Sequence, residues 1–336
     1  MNIGKPVLIA DIGGTNARFA MVGEDGAITP MAHVKNRDFE TVEAAVAHAL
    51  SANRGPAPVT AVFAIACPVN AETFRLTNAD WEVEPARLLE SCKLSELRVM
   101  NDFLAQGLAA VSLGMDDLLQ LGGTARSAAG PRVIIGPGTG LGVALAFNVD
   151  GHWKILPGEG GHRDLGPRTP DEFAIWPYLQ KRRGRMEAEM AVSGPGLQNL
   201  YGAILQREGK ANATVSAEDI TRLGLKEGDA HARQALLMMA SFLARICSDL
   251  AITTMAHGGV YLCGGMVEHL LGLLGEPDFR NAFEDKHPVE AVMRDIPIFA
   301  VRHENSGLYG IAEYLRSPGR YLLDGNIACF FRQTLG

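Results

Sequence analysis

The stretch "LIADIGGTNARFAMV", residues 8–22, runs an apolar segment into an aspartate, two glycines, a threonine and an asparagine. Val7 to Ala10 read as a buried β-strand and Arg18 to Val22 as a second, so Asp11, Gly13, Gly14, Thr15 and Asn16 fall in or beside a hairpin turn. Glycine permits positive φ in such a turn and lets a ligand approach the backbone closely. A phosphate can rest on exposed amides there, with Thr15 and Asn16 as further donors and Asp11 holding an accompanying metal through water. A hairpin turn that binds nothing fits the same residues, and this stretch alone does not choose.

Two further turns of related composition shift the balance towards a nucleotide. In "VIIGPGTGLGVALAF" (residues 133–147) a strand pattern enters Gly136, Gly138, Thr139, Gly140 and Gly142, and another strand follows. No Gly-Lys-Ser/Thr opens a helix here, so this is neither a P-loop nor a dinucleotide fingerprint. "GGVYLCGGM" (residues 258–266) ends in Gly264 and Gly265, where an adenine ring can lie against the backbone. Three such turns, each behind a strand and spread over both halves of the chain, are hard to explain as independent structural turns.

With 336 residues the chain suits two domains, and 47% hydrophobic with 21% charged residues is ordinary for a globular protein. A formal net charge of -7 argues against nucleic acid or an anionic membrane as partner. The five cysteines are scattered, with no C-x-x-C pair, which suggests neither a disulfide framework nor a zinc cluster and points to a reducing cytosol. No basic leader precedes Val7, and no later segment reads as long and apolar enough to span a membrane. Strand-like runs ("PVLIA", "VTAVFAIA", "LRVM", "PRVIIG", "GVALAF", "GGVYLCGG") alternate with helical patterns at 41–52, 104–111, 232–255 and 307–315, which is α/β architecture. The polar, glycine-rich stretch 113–130 reads as the separator of two strand-bearing halves.

Polar residues cluster between the turns. Asn101 and Asp102 close a strand pattern just before a helix, where an open α/β sheet exposes catalytic side chains. Asp102 can equally be only the N-cap of that helix. Glu159 and His162 stand three apart in a glycine-rich loop without further metal ligands at suitable spacing, which favours hydrogen bonding to a polar ligand over zinc. Glu189 precedes the helix-start signal at Ser193 and reads either as a ligand or as a solvated surface acid. Carboxylates, an amide and an imidazole suit a polyol, whose hydroxyls both donate and accept. A kinase also needs a base near the attacking hydroxyl, a role open to Asp102.

Taken in order, "ADIGGTNARFA", "IACPV", "TNADW", "NDF", "IGPGTGLGVA", "LPGEGGH", "SGPGL", "GGVYLCGG" and "NSGLYG" resemble the bacterial glucokinase family, within the hexokinase, Hsp70 and actin superfamily, over 7–316. The resemblance implies an α/β, two-domain hexokinase/actin-like ATPase fold of ribonuclease H-like type with an interdomain cleft. It divides the chain into a smaller domain (1–111 plus 301–318), a larger one (112–300) and a tail (319–336) for which the sequence offers no role. It implies transfer of the γ-phosphoryl group of ATP to the 6-hydroxyl of glucose, with Mg2+, by a cytoplasmic homodimer. By the same resemblance Asp102 is the base, and Asn101, Glu159, His162 and Glu189 hold sugar hydroxyls together with Asp102. Asn78 of "TNADW" is a further sugar contact, and Asp11, Gly13, Gly14, Thr15, Asn16, Gly138, Thr139, Gly140, Gly264 and Gly265 line the nucleotide. The related ROK sugar kinases carry a cysteine-dense zinc motif after the histidine loop. This chain has no cysteine between Cys92 and Cys247, a departure that favours the zinc-free group. Two rivals stay open: a kinase of another hexose or of an N-acetylated aminosugar, and a sensor that keeps the fold without the chemistry.

Overall fold

Val7–Ile12 forms the strand β1 with both faces covered: Leu8, Ile9, Ala10 and Ile12 are fully buried. The computed structural model describes residues 4–69, 73–76, 81–181, 183–210 and 215–332. The other strands, in chain order, are β2 (Asn16–Val22), β3 (Ile28–Lys35), β4 (Thr60–Ile65), β5 (Phe74–Arg75), β6 (Glu82–Val83), β7 (Glu96–Asn101), β8 (Leu118–Gly122), β9 (Arg132–Pro137), β10 (Leu141–Val149), β11 (His152–Gly158), β12 (Gly259–Leu262), β13 (Ile298–Val301), β14 (Tyr321–Leu322) and β15 (Ile327–Phe331). The chain divides into two compact units, one of residues 1–114, 144–157 and 303–336, the other of 115–143 and 158–302.

The first unit is built on a sheet of order β15-β7-β4-β1-β2-β3. β1, β4 and β7 run parallel, while β2, β3 and β15 are antiparallel to their neighbours. Asp11 lies opposite Ala64, and Ile65 opposite Asn101, so Asp11 and Asn101 both stand at the carboxyl ends of parallel strands. Open α/β sheets receive their ligands at such ends. Leu8, Ala10, Ile12, Phe63 and Ile65 alternate onto one face and bury against Val42, Ala45 and Val46 of helix Val42–Ser51 and Leu88 and Leu89 of helix Pro85–Ser91. Each large apolar side chain so buried contributes roughly 1.5–3 kcal/mol. The opposite face is covered by helices Asp102–Ser112 and Ser306–Arg316. These two helices touch through Gly310, where a Cβ would lie 2.0 Å from the Ala105 carbonyl oxygen. The tail that the sequence left without a role supplies β15: Ile327–Phe331 pairs with β7, and the Phe330 ring meets Phe74 edge-on at 5.9 Å.

In the second unit β9, β12 and β13 are parallel neighbours, with β8 antiparallel at the edge. The stretch 113–130 therefore does more than separate: it contains β8. Its single inward leucine and polar middle hid the strand from a reading by apolar runs. Helix Ala230–Thr254 forms the core of this unit through residues such as Leu236, Met239, Phe242, Leu243 and Ile246. With a mean hydropathy of 1.7 over its most apolar window it is long and apolar enough to cross a membrane, which corrects the expectation that no segment is. It packs instead inside the unit, and its Arg245 donates to the buried Glu172 at 2.9 Å. The helices expected at 41–52, 104–111, 232–255 and 307–315 are all present, with ends shifted by one or two residues at most positions: Val42–Ser51, Asp102–Ser112, Ala230–Thr254 and Ser306–Arg316.

Candidate active site

In the first unit the turn between β1 and β2 is closed by the Gly13 N–H donating to the Asn16 carbonyl (3.0 Å). Asn36 staples it from β3's far end: its backbone N–H donates to the Thr15 carbonyl (2.9 Å) and its Nδ2 to the Gly13 carbonyl (2.8 Å). Thr15 is exposed, Gly14 and Asn16 partly so. The expectation of positive φ is not met at Gly13, nor at Gly138 in the second turn. Beside Gly138 a Cβ would meet nothing within 4 Å, and at Gly13 it would make ordinary contact with the Asn16 carbonyl oxygen at 3.5 Å.

Asp11 ends beside the first turn of helix Ser306–Arg316. A Cβ on Gly307 would stand 2.5 Å from the Asp11 carboxylate, so only glycine admits that carboxylate there. Burial pushes the Asp11 pKa above the ordinary carboxylate value, and nearby Arg18 pulls the other way. Ser306 donates to Gln106 (2.8 Å), fixing this helix start against helix Asp102–Ser112.

The start of helix Asp102–Ser112 settles which residue caps it. The N-cap is Asn101, whose Oδ1 accepts from the Phe103 N–H (2.9 Å) while its Nδ2 donates to the Cys67 carbonyl (3.1 Å). Asp102 is the first helical residue, half-buried, with one carboxylate oxygen also 3.0 Å from the Phe103 N–H. Reading Asp102 as merely the cap is thus corrected, because the preceding asparagine does that work. Asn78 lies outside the described residues.

The second unit assembles the other predicted groups. Gly138 donates to the Gly140 carbonyl (2.8 Å) and accepts from the Gly194 N–H (2.8 Å) at the start of helix Gly194–Arg207, with Thr139 between them at the tip. Glu189 is half-buried, and its Oε2 accepts from the Leu141 N–H (2.9 Å), so it braces this turn and is not a solvated surface acid. Ser193 caps the helix, accepting from Gly196 and donating to the Glu189 carbonyl (2.7 Å). The third turn lies beside the second: Gly264, at φ 93°, brings its Cα so close to Pro137 that a Cβ would be 3.3 Å from that carbonyl oxygen. Gly265 opens helix Gly265–Leu274, which no side chain caps. Two glycine turns and an uncapped helix N-terminus side by side form an anion-receptive surface.

Glu159 and His162 lie near each other, His162 Nε2 being 3.6 Å from Glu159 Oε2, with Glu159 exposed. The sequence reading missed Glu187, whose buried carboxylate receives His162 Nδ1 at 2.9 Å and Arg185 at 2.7 Å. The only signal for it was its place two residues before Glu189 in "MEAEM".

Parallel strands ending in glycine turns, with an acid at the end of β1 and another after β7, form an α/β fold of the hexokinase and actin-like class. The family described as glucokinase matches residues 8–318. A glucokinase of Sinorhizobium medicae is 41% identical over 317 residues, covering 93% of both chains. Among solved structures, a glucokinase from an Antarctic psychrotroph aligns with a TM-score of 0.76 at 28% identity, covering 93% of this chain and 99% of that one. A ROK-family glucokinase from Streptomyces griseus, in complex with glucose and AMPPNP, shares the fold at a TM-score of 0.66 and 19% identity, covering 93% and 99%. The chain belongs to the glucokinase family.

Proposed function

We propose that this chain transfers the γ-phosphoryl group of ATP to the 6-hydroxyl of D-glucose, giving ADP and glucose 6-phosphate. The observation that carries the reading is the placement at β7: Asn101 is the N-cap, and the Asp102 carboxylate, half-buried on the first helical residue, stands at the carboxyl end of the parallel strands, where such sheets receive their ligands. In the proposed reaction Asp102 accepts the proton of the attacking hydroxyl, and Asn101, Glu159, His162, Glu189 and Asn78 bind the sugar. The phosphates rest on the turns at Gly13–Asn16 and Gly138–Gly140, and the adenosine lies by Gly264 and Gly265.

Magnesium fits the donors present. Asp11 offers hard carboxylate oxygen, and Mg2+ is held by one or two carboxylates with water and nucleotide phosphates. Among the described residues no three His, Cys, Asp or Glu gather as a metal cluster, so such a cation would take its remaining ligands from nucleotide and water. When bound it neutralises charge on the transferring phosphate. We further propose a cytoplasmic homodimer, in keeping with the five free thiols; sedimentation at the mass of two chains is the expected result, and at one chain the opposite.

The test is ADP release with ATP and Mg2+ across a panel of sugars. Glucose is expected to turn over fastest. No turnover with glucose but rapid turnover with N-acetylglucosamine would move the chain to the rival sugar kinase, and no turnover with any sugar would leave the sensor.

A further inference from the structure

Glu187 is a buried acid of the second unit that the reaction above does not use and that touches one of its proposed sugar ligands. Its side chain is 6% exposed, and both oxygens are engaged: Oε2 with His162 Nδ1 at 2.9 Å, Oε1 with Arg185 at 2.7 Å. The other arm of Arg185 reaches Asp164 at 3.0 Å. Backbone bonds zip the two segments together, Leu165 N–H to the Met186 carbonyl (3.0 Å) and Ala188 N–H to the Arg163 carbonyl (2.9 Å). The acid is therefore fixed relative to the imidazole by main chain as well as side chain.

We propose that Glu187 is a positioning residue that holds His162 as the tautomer with its proton on Nδ1, making Nε2 a hydrogen-bond acceptor for a sugar hydroxyl. An ionised carboxylate can only accept, and a neutral imidazole has one donor and one acceptor nitrogen. With Nδ1–H committed to Glu187, Nε2 presents a lone pair on the side of Glu159, itself an acceptor. The pair then reads hydroxyls that donate, which a vicinal diol does at both sites. The inference rests on the proposed reading of the chain as a glucose kinase, but its structural half does not need the sugar.

The variant Glu187→Gln separates shape from tautomer. Arg185 donates only, so it selects the amide oxygen and turns the amide NH2 towards His162; Nδ1 must then accept, and the proton moves to Nε2. Nitrogen-15 NMR of the ring nitrogens, with His162 assigned by its loss in His162→Gln, is expected to show Nδ1–H in the parent and Nε2–H in Glu187→Gln. The glucose KM is expected to rise about tenfold, with kcat and the ATP KM within about threefold of the parent, because a binding contact is lost and not a transition-state one. A parent with Nε2 protonated, or a Glu187→Gln enzyme with unchanged glucose KM, would overturn the proposal. The parent spectrum decides the tautomer even if the variant does not fold. Failure of the glucose-kinase reading would appear in parent turnover, whereas failure of this inference would appear in the ring nitrogens and in the variant's KM.

Discussion

At the end of β1 the carboxyl of Asp11 is held above the ordinary carboxylate range by burial, and Arg18 offsets this only in part. An acid whose folded-state pKa exceeds its unfolded value costs stability once the pH passes that unfolded value, about 3.9, since folding then opposes its ionisation. Asp11→Asn removes the ionisation. The variant is expected to melt above the parent at pH 7, with the gap closing as pH falls towards about 4, while its KM for ATP with magnesium rises. Melting curves over that pH range, beside the KM, check this; a lower melting point at pH 7 would make Asp11 a structural partner of Arg18. Legibility differed from residue to residue. Asp11, Asn101, Asp102, Glu159 and His162 were visible because each stands beside a glycine turn or a strand end. Glu187 was not, because an acid in a polar segment looks solvated until the fold buries it against His162 and Arg185.

Elements were legible where period and punctuation agreed. All six apolar runs read as strands are strands, and the four helices read from the pattern were misplaced only at their ends. Among the strands not read, β3, β8 and β15 lie at sheet edges, where burying one face or less leaves no apolar run, while the buried β13 is only four residues long. The glycines had two uses that sequence could not tell apart. At Gly310 the reason is helix packing against Ala105, so Gly310→Val is expected to destabilise by about 1–3 kcal/mol or more, read as a lower urea midpoint. At Gly138 the space is empty and the backbone unstrained, so Gly138→Val should melt with the parent yet bind ATP far more weakly while glucose affinity holds. Equal losses for both ligands would mean that the turn had misfolded.

At the scale of the whole chain, the order of weak motifs carried more than any one of them. Single glycine turns are common, but the ordered set, over 7–316, spans nearly the range that the glucokinase family matches, 8–318. What the order could not supply was the assignment of work at β7, which depends on the φ,ψ of Asn101 and on one side-chain acceptor. In the proposed reaction Asp102 is the base of glucose phosphorylation. Glucose affinity by calorimetry, measured beside kcat for Asp102→Asn, tests it most directly. Glucose is expected to bind still while kcat falls on the order of 10² to 10⁴, roughly 3 to 5 kcal/mol of transition-state stabilisation. A variant that binds glucose and keeps a near-parental kcat would contradict it.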